Sequence, residues 1–175
     1  MFKINNVAYP VVLVGLASLL FGGGSMAEMK SKEMTASMDA PISYPEGYRS
    51  WVHVKSRVNL DGHSQAGNVG FQHVYANASA VAGLKSGKYA DGATLVLDRL
   101  NYESADDKIL SEGSRKALVI MVKDAARYTA TGGWGFEGFK AGDPNQRIVK
   151  DDGVKCFSCH EPLKKDDFVF TKWRD

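Results

Sequence analysis

The stretch Cys156-Phe157-Ser158-Cys159-His160 constrains this chain more than any other. Two thiols three positions apart, followed at once by an imidazole, form the attachment signature of a c-type haem. The chemistry sets the spacing. Each thiol adds to one vinyl group on the same edge of the porphyrin, and His160 is then placed beneath the ring, where a neutral imidazole nitrogen binds iron axially. The preceding residues have mainly to build a wall around the other face. Two other chemistries use a Cys-x-x-Cys pair. A redox dithiol belongs near the start of a thioredoxin-like domain, a pattern this sequence lacks. A zinc site needs a second ligand pair, but the chain has only these two cysteines, and His53, His63 and His73 do not fall at finger spacing.

Met1 to Ala27 has the parts of a secretory signal peptide. Lys3 is its positive end, Val11 to Phe21 its apolar run, and Ser25-Met26-Ala27 a small-x-small cleavage site. The apolar run is shorter than the roughly 20 residues that span a bilayer, and Gly22 to Gly24 interrupt it. No membrane anchor is therefore expected after cleavage, nor a lipid anchor, since no Cys lies at the cleavage site. Export agrees with the haem signature, because bacterial c-type attachment takes place outside the cytoplasm. The expected location is periplasmic. With 22 Lys and Arg against 20 Asp and Glu, and no basic run interleaved with aromatics, the chain has no footprint for nucleic acid. Both cysteines are committed to the haem motif, so no disulfide is expected.

Residues 28–43 are polar and aperiodic and are expected to form a flexible leader, with the domain running over 44–175. Alternation predicts strands over Trp51 to Val58 and Val69 to Tyr75, the latter with Val69, Phe71, His73 and Tyr75 on one face and Gln72 and Val74 on the other. Asn77 is an N-cap for a short helix to Lys85. Further strands are expected over Ala93 to Leu100, over the apolar run Ala117 to Val122, and over the Gly-rich aromatic stretch Trp134 to Phe139. Glu103 to Ser114 reads as a charged loop, and Asp124 to Tyr128 as the start of a short helix stopped by Gly132-Gly133. The expected fold is mainly β (α+β): an antiparallel sheet of about five strands, short helices, and a C-terminal haem-attachment segment on a helix or turn. Helical electron-transfer cytochromes and four-helix cytochromes c-prime do not fit, since long amphipathic helices are missing.

Taken in order, Tyr48-Arg49-Ser50-Trp51, Tyr89-Ala90-Asp91-Gly92, Val122-Lys123-Asp124 with Arg127, Trp134-Gly135-Phe136 and the Cys156-to-His160 motif continuing to Asp167-Phe168-Val169-Phe170-Thr171-Lys172-Trp173 resemble the cytochrome P-460 family, including the mainly β cytochromes c-prime-beta. The resemblance covers roughly Tyr44 to Trp173. It implies one haem c, His160 as proximal ligand, an open distal side and a homodimer. Members that oxidise hydroxylamine have a lysine joined to the porphyrin edge and a carboxylate above the iron that relays protons. Counted from Asp91-Gly92, the lysine position falls on Leu97, with Asp98 matching an acidic neighbour. Counted back from Val122-Lys123-Asp124, the carboxylate position falls on Val119. Lys85 and Lys88 are the rival cross-linkers, on what reads as a helix end.

Phe71, Leu97 and Val119 are thus the candidates for an apolar distal wall, Phe71 because c-prime-beta members are similar in having distal phenylalanines. Such a wall suits neutral diatomics, NO and CO, which bind ferrous iron without a hydrogen-bond donor. The expected function is a periplasmic gas-binding haem c protein for scavenging, buffering or sensing NO. The alternatives are an oxidoreductase acting on hydroxylamine or NO, passing electrons to a periplasmic cytochrome, and a simple electron carrier. The last needs His73 or Met121 as a sixth ligand.

Overall fold

The computed structural model describes residues 40–63, 66–106 and 108–174. The expected signal peptide and residues 28–39 of the expected leader lie outside them. No helix among the described residues is long and apolar enough to cross a membrane.

Five strands form one antiparallel sheet in chain order: β1 (Val52–Asn59), β2 (Gly70–Ala76), β3 (Thr94–Asp106), β4 (Ile109–Lys123) and β5 (Trp134–Lys140). The mainly β, five-stranded expectation holds. The inner parts of the strands fall where the apolar residues are spaced for a sheet, because a side-chain period of two puts successive residues on opposite faces. Among the described residues there are two short α-helices, α1 (Ala78–Ser86) between β2 and β3 and α2 (Val154–His160) near the C-terminus. Asn77 caps α1 as expected. Its side-chain oxygen accepts the amide of Ala80 at 2.9 Å and that of Thr94 at 3.1 Å, tying the helix start to the start of β3.

The sheet carries a different core on each face. One cluster joins Ala76, Leu95, Met121, Trp134 and Phe136 to Ala80 and Leu84 of α1 and to Val169 from the C-terminal segment. The other joins Val96, Leu118, Ile120 and Phe139 to Tyr48, with Ile42 and Tyr44 packed against it. Ile42 also accepts a hydrogen bond from Arg147 at 2.8 Å through its carbonyl. The packed domain therefore reaches back before Tyr44, into the stretch expected to be leader. On this second face Asp98 is fully buried. It accepts hydrogen bonds from Tyr48 (2.5 Å), Arg49 (3.0 Å) and Arg115 (2.7 Å). That network locks the Tyr48-Arg49 turn onto β3, and it outweighs the burial that would otherwise raise the carboxyl, so Asp98 titrates below its ordinary value.

Two local expectations are overturned. Glu103 to Ser114 is not a loop: it is the outer part of the β3–β4 hairpin, paired through Tyr102↔Glu112, Glu103↔Ser111 and Ser104↔Leu110. Its side chains are largely exposed on both faces, so no burial pattern marks it as strand. Asp124 to Tyr128 is a turn rather than a helix, followed by a 3-10 segment at Thr129–Thr131. The Asp124 amide donates to the Gly133 carbonyl at 2.9 Å, which closes the β4–β5 connection before a helix can propagate.

Candidate functional site

The helix α1 covers only one end of the first sheet face. Pairing across the sheet arranges that face in rows. Ala76, Leu95, Met121 and Phe136 form the row beneath the helix side. Lys55, Val74, Leu97, Val119 and Gly138 form the next, and Arg57, Gln72, Arg99, Ala117 and Lys140 the third. Over the second row opens a cavity of about 530 Å³, in the range of cofactor pockets. Leu97 and Val119 are directly paired on the two central flanks of the sheet, yet both remain only half-buried and line this cavity. Apolar side chains in mid-sheet are ordinarily covered by another layer. Here the described residues leave that part of the face uncovered.

Cys159 and His160 stand on another wall of the same cavity, with Phe136, Val169 and Phe170. The His160 ring packs against Phe136 at 5.0 Å and Phe170 at 4.8 Å between centroids. Its Nδ1 lies 2.7 Å from the carbonyl oxygen of Phe168. Burial lowers the imidazole's pKa, with the carbonyl contact opposing this, so the ring is held neutral. A neutral ring that donates from Nδ1 keeps its lone pair on Nε2, the arrangement a metal-ligating histidine requires.

The carbonyl that orients His160 comes from a strained corner. Asp167 and Phe168 both have positive φ, 50° and 64°, a left-handed conformation that costs a non-glycine residue roughly 1–2 kcal/mol. Surrounding contacts hold it. The Lys123 ammonium bonds Asp167 Oδ1 at 2.7 Å, the Trp134 indole donates to the Asp167 carbonyl at 2.9 Å, and the Tyr89 amide donates to Asp167 Oδ2 at 3.2 Å. The Phe168 ring lies so close to Gly132 that a Cβ there would meet it at 2.4 Å. Residues from four separated sequence motifs thus meet at one turn.

On α2 the two cysteines are three residues apart, hence on one helix face. Cys156 is half-buried against the first core, Cys159 exposed, and neither is in a disulfide. Burial and the nearby Asp151 raise the Cys156 thiol pKa. A redox-active dithiol would have its thiol lowered instead. Among the described residues no three His, Cys, Asp or Glu side chains gather to hold a metal ion. Vicinal thiols, a neutral oriented imidazole and an uncovered apolar sheet row fit a porphyrin.

The structure thus brings together Cys159, His160, Leu97 and Val119, with Cys156 on the adjoining turn of α2. It does not bring Phe71 there. Strand alternation puts Phe71 on the opposite face, stacked on His73 at 5.8 Å, so Phe71 is withdrawn from the distal wall. His73 shares that far face, 2.7 Å from Ser56 Oγ and from Glu112 Oε1. Met121 lines the cavity. Lys85 sits over the Trp173 ring at 4.6 Å, and neither it nor Lys88 lines the cavity. The wall is also less uniformly apolar than expected. Lys55, Arg57 and the buried Gln72 form one end of it. Sequence reasoning passed over these because β1 is exposed along most of its length, and only the pairing Lys55↔Val74 and Arg57↔Gln72 shows which side chains share the Leu97 face. No Asp or Glu lines the cavity among the described residues. The buried carboxylates Asp98 and Glu137 both lie on strand positions paired within the other face, each engaged by arginine.

A search of curated proteins finds no match for the chain. The family model described as Cytochrome P460 matches residues 45–171, which contain the sheet, the strained corner and the Cys-x-x-Cys-His helix. That family implies a c-type haem, the group the cavity and its ligand set fit, and the chain belongs to the cytochrome P460 family.

Proposed function

We propose that this chain is an exported protein carrying one haem c, bonded through Cys156 and Cys159 and ligated by His160, that binds NO and CO at an open iron position to scavenge, buffer or sense NO. When bound, the haem would supply an iron able to take an external ligand. The protein's part is positional. The Phe168 carbonyl fixes the His160 tautomer and ring plane, the core around Cys156 fixes the attachment edge, and Leu97 and Val119 exclude water from the apolar wall. The observation that carries the reading is that pair: apolar, directly opposed, and half-buried in a cavity that no carboxylate among the described residues lines. A side chain that cannot accept a proton cannot relay one from a bound amine, whereas a neutral diatomic needs no relay.

Nitric oxide titration of the dithionite-reduced protein tests this. Stoichiometric conversion to a nitrosyl spectrum is expected, and an unchanged spectrum at excess NO would contradict it. Two observations favour other readings. Met121 on the cavity wall supports a filled sixth position and electron transfer, which would abolish NO binding. Lys55 at the cavity edge supports a lysine–porphyrin bond and hydroxylamine oxidation. In that case the protease-released haem peptide would carry the Lys55 segment as well as residues 156–160.

A further inference from the structure

The third row of the sheet face is cationic where the second, apart from Lys55 at its β1 end, is apolar. Arg57 and Arg99 flank Gln72 within it, and Lys55 ends the neighbouring row two residues away on the same strand. None of the three forms an ion pair with a carboxylate among the described residues. Gln72, only 2% exposed, is spent on fixing this group. Its amide oxygen accepts Arg57 Nε at 2.7 Å, while its amide nitrogen donates to the Asn68 carbonyl at 3.0 Å. Bonding at Nε orients the guanidinium and leaves its terminal nitrogens to other partners. Arg99 is anchored to the Gly67 carbonyl. Burial and the charge of nearby Arg57 both lower its pKa, which is the sign of cations gathered without a counter-ion.

Distances along the strands relate this cluster to the thiols. The helix that carries Cys156 packs on the core cluster to which the first-row residues Leu95, Met121 and Phe136 belong, and its first residue's neighbour Gly153 lies against the Phe136 ring. From Leu95 to Arg99 is four residues, about 13 Å at a rise near 3.3 Å per residue. A haem c attached by its vinyl edge directs its two propionates away from the thiols. The second, apolar row lies between the thiol end and the cations and matches the macrocycle, which has no charge of its own at the periphery there. Charge, polarity and order along the strands therefore run in the same sequence as the parts of the cofactor.

We infer that Arg57 and Lys55, which line the cavity, form the docking site for the two porphyrin propionates, with Gln72 as the positioning residue that aims Arg57 and Arg99 adding positive charge from the next place in the same row. The inference rests on the haem reading above. A dianion at this end would relieve the repulsion between the guanidiniums, and charge-assisted bonds from planar arginines suit carboxylates. The paired propionates would stay ionised, and the cations would favour ferrous over ferric iron by partly cancelling their negative field.

The test uses the purified holoprotein and its Arg57→Gln, Arg99→Gln, Lys55→Gln and Gln72→Leu variants, and reads resonance Raman propionate-bending bands together with the midpoint potential. Arg57 and Lys55 are exposed, so their replacement should leave folding intact even if Arg99→Gln does not. The bending band should shift in Arg57→Gln, and the potential should fall and become pH-dependent where the freed propionate titrates. Gln72→Leu should give part of the same shift, and Arg57→Lys should restore most of the potential without restoring the band. An unchanged band in Arg57→Gln and Lys55→Gln alike would overturn the inference, as would a lower potential with the band unmoved, since a distant charge alone does that. Failure of the wild-type preparation to carry covalent haem would overturn both this and the haem reading. Failure of wild type to take up NO would overturn only the gas-binding reading.

Discussion

His160 Nδ1 and the Phe168 carbonyl oxygen stand 2.7 Å apart, and the residue that offers that carbonyl is held in a left-handed conformation at φ 64°. The orientation of the His160 ring is therefore set by a backbone corner that would relax if unsupported. Its main support is the largely buried Lys123–Asp167 ion pair.

Asp167→Asn isolates that support, because asparagine tolerates positive φ and only the charge is lost. Lys123 is then left largely buried with the Gly132 carbonyl as its remaining hydrogen-bond acceptor and the Trp134 ring beneath it. Stability should fall by about 3 kcal/mol, read as a lower urea midpoint with an unchanged slope. The iron–histidine stretching band should broaden as His160 loses its fixed orientation. An unaltered band would mean the corner does not govern the ligand.

Gly132→Ala tests the other side of the corner. The added methyl meets the Phe168 ring, and the residue's φ of 66° disfavours any side chain. A loss of about 2 kcal/mol or more is expected from overpacking and strain together, measured by denaturant unfolding.

Asp98 carries a prediction about acid stability. Its folded-state carboxyl titrates below the unfolded value, so its stabilisation is complete above the unfolded carboxylate pKa of about 4. It disappears as pH falls through the folded value. Asp98→Asn should cost about 3 kcal/mol at pH 7, and the difference from wild type should shrink steadily below pH 4. A difference that is constant between pH 7 and pH 3 would show that the ion network is not its origin.

How much of this was legible in the sequence follows from which forces leave a one-dimensional trace. Strands such as Leu95 to Leu100 are readable because a short apolar run follows a turn signal, and Asn77 is readable because a cap is a local bond. The outer hairpin over Glu103 to Ser114 is held by backbone pairing with both faces wet, so its composition looks like a loop. His160 and the two thiols are covalent-chemistry signals and stand out at any fold. Leu97 and Val119 were reached through the family pattern, and the pairing Leu97↔Val119 then put them on one wall. Phe71 failed for want of register: nothing in residues 69–75 says which face the cavity occupies, and a choice of the wrong face displaces every second residue. Lys55, Arg57 and Gln72 were missed for the same reason, since their role appears only when β1 is paired with β2.

Leu97→Lys asks whether that wall adjoins the porphyrin. An amine there is expected to meet the ring edge, so that the protease-released haem peptide carries residue 97 as well as residues 156–160, with a red-shifted Soret band. An unchanged haem-peptide mass and spectrum would argue that Leu97 faces the cavity away from the ring edge.

The absorption spectrum of the reduced holoprotein, recorded before and after addition of CO, tests the central claim most directly. An open iron facing Leu97 and Val119 predicts an ordinary five-coordinate Soret band that shifts on CO binding. A spectrum that does not respond to CO would contradict the account and put a sixth ligand, Met121 first, on the iron. A strongly red-shifted band before CO is added would contradict it differently, by showing a lysine already joined to the ring.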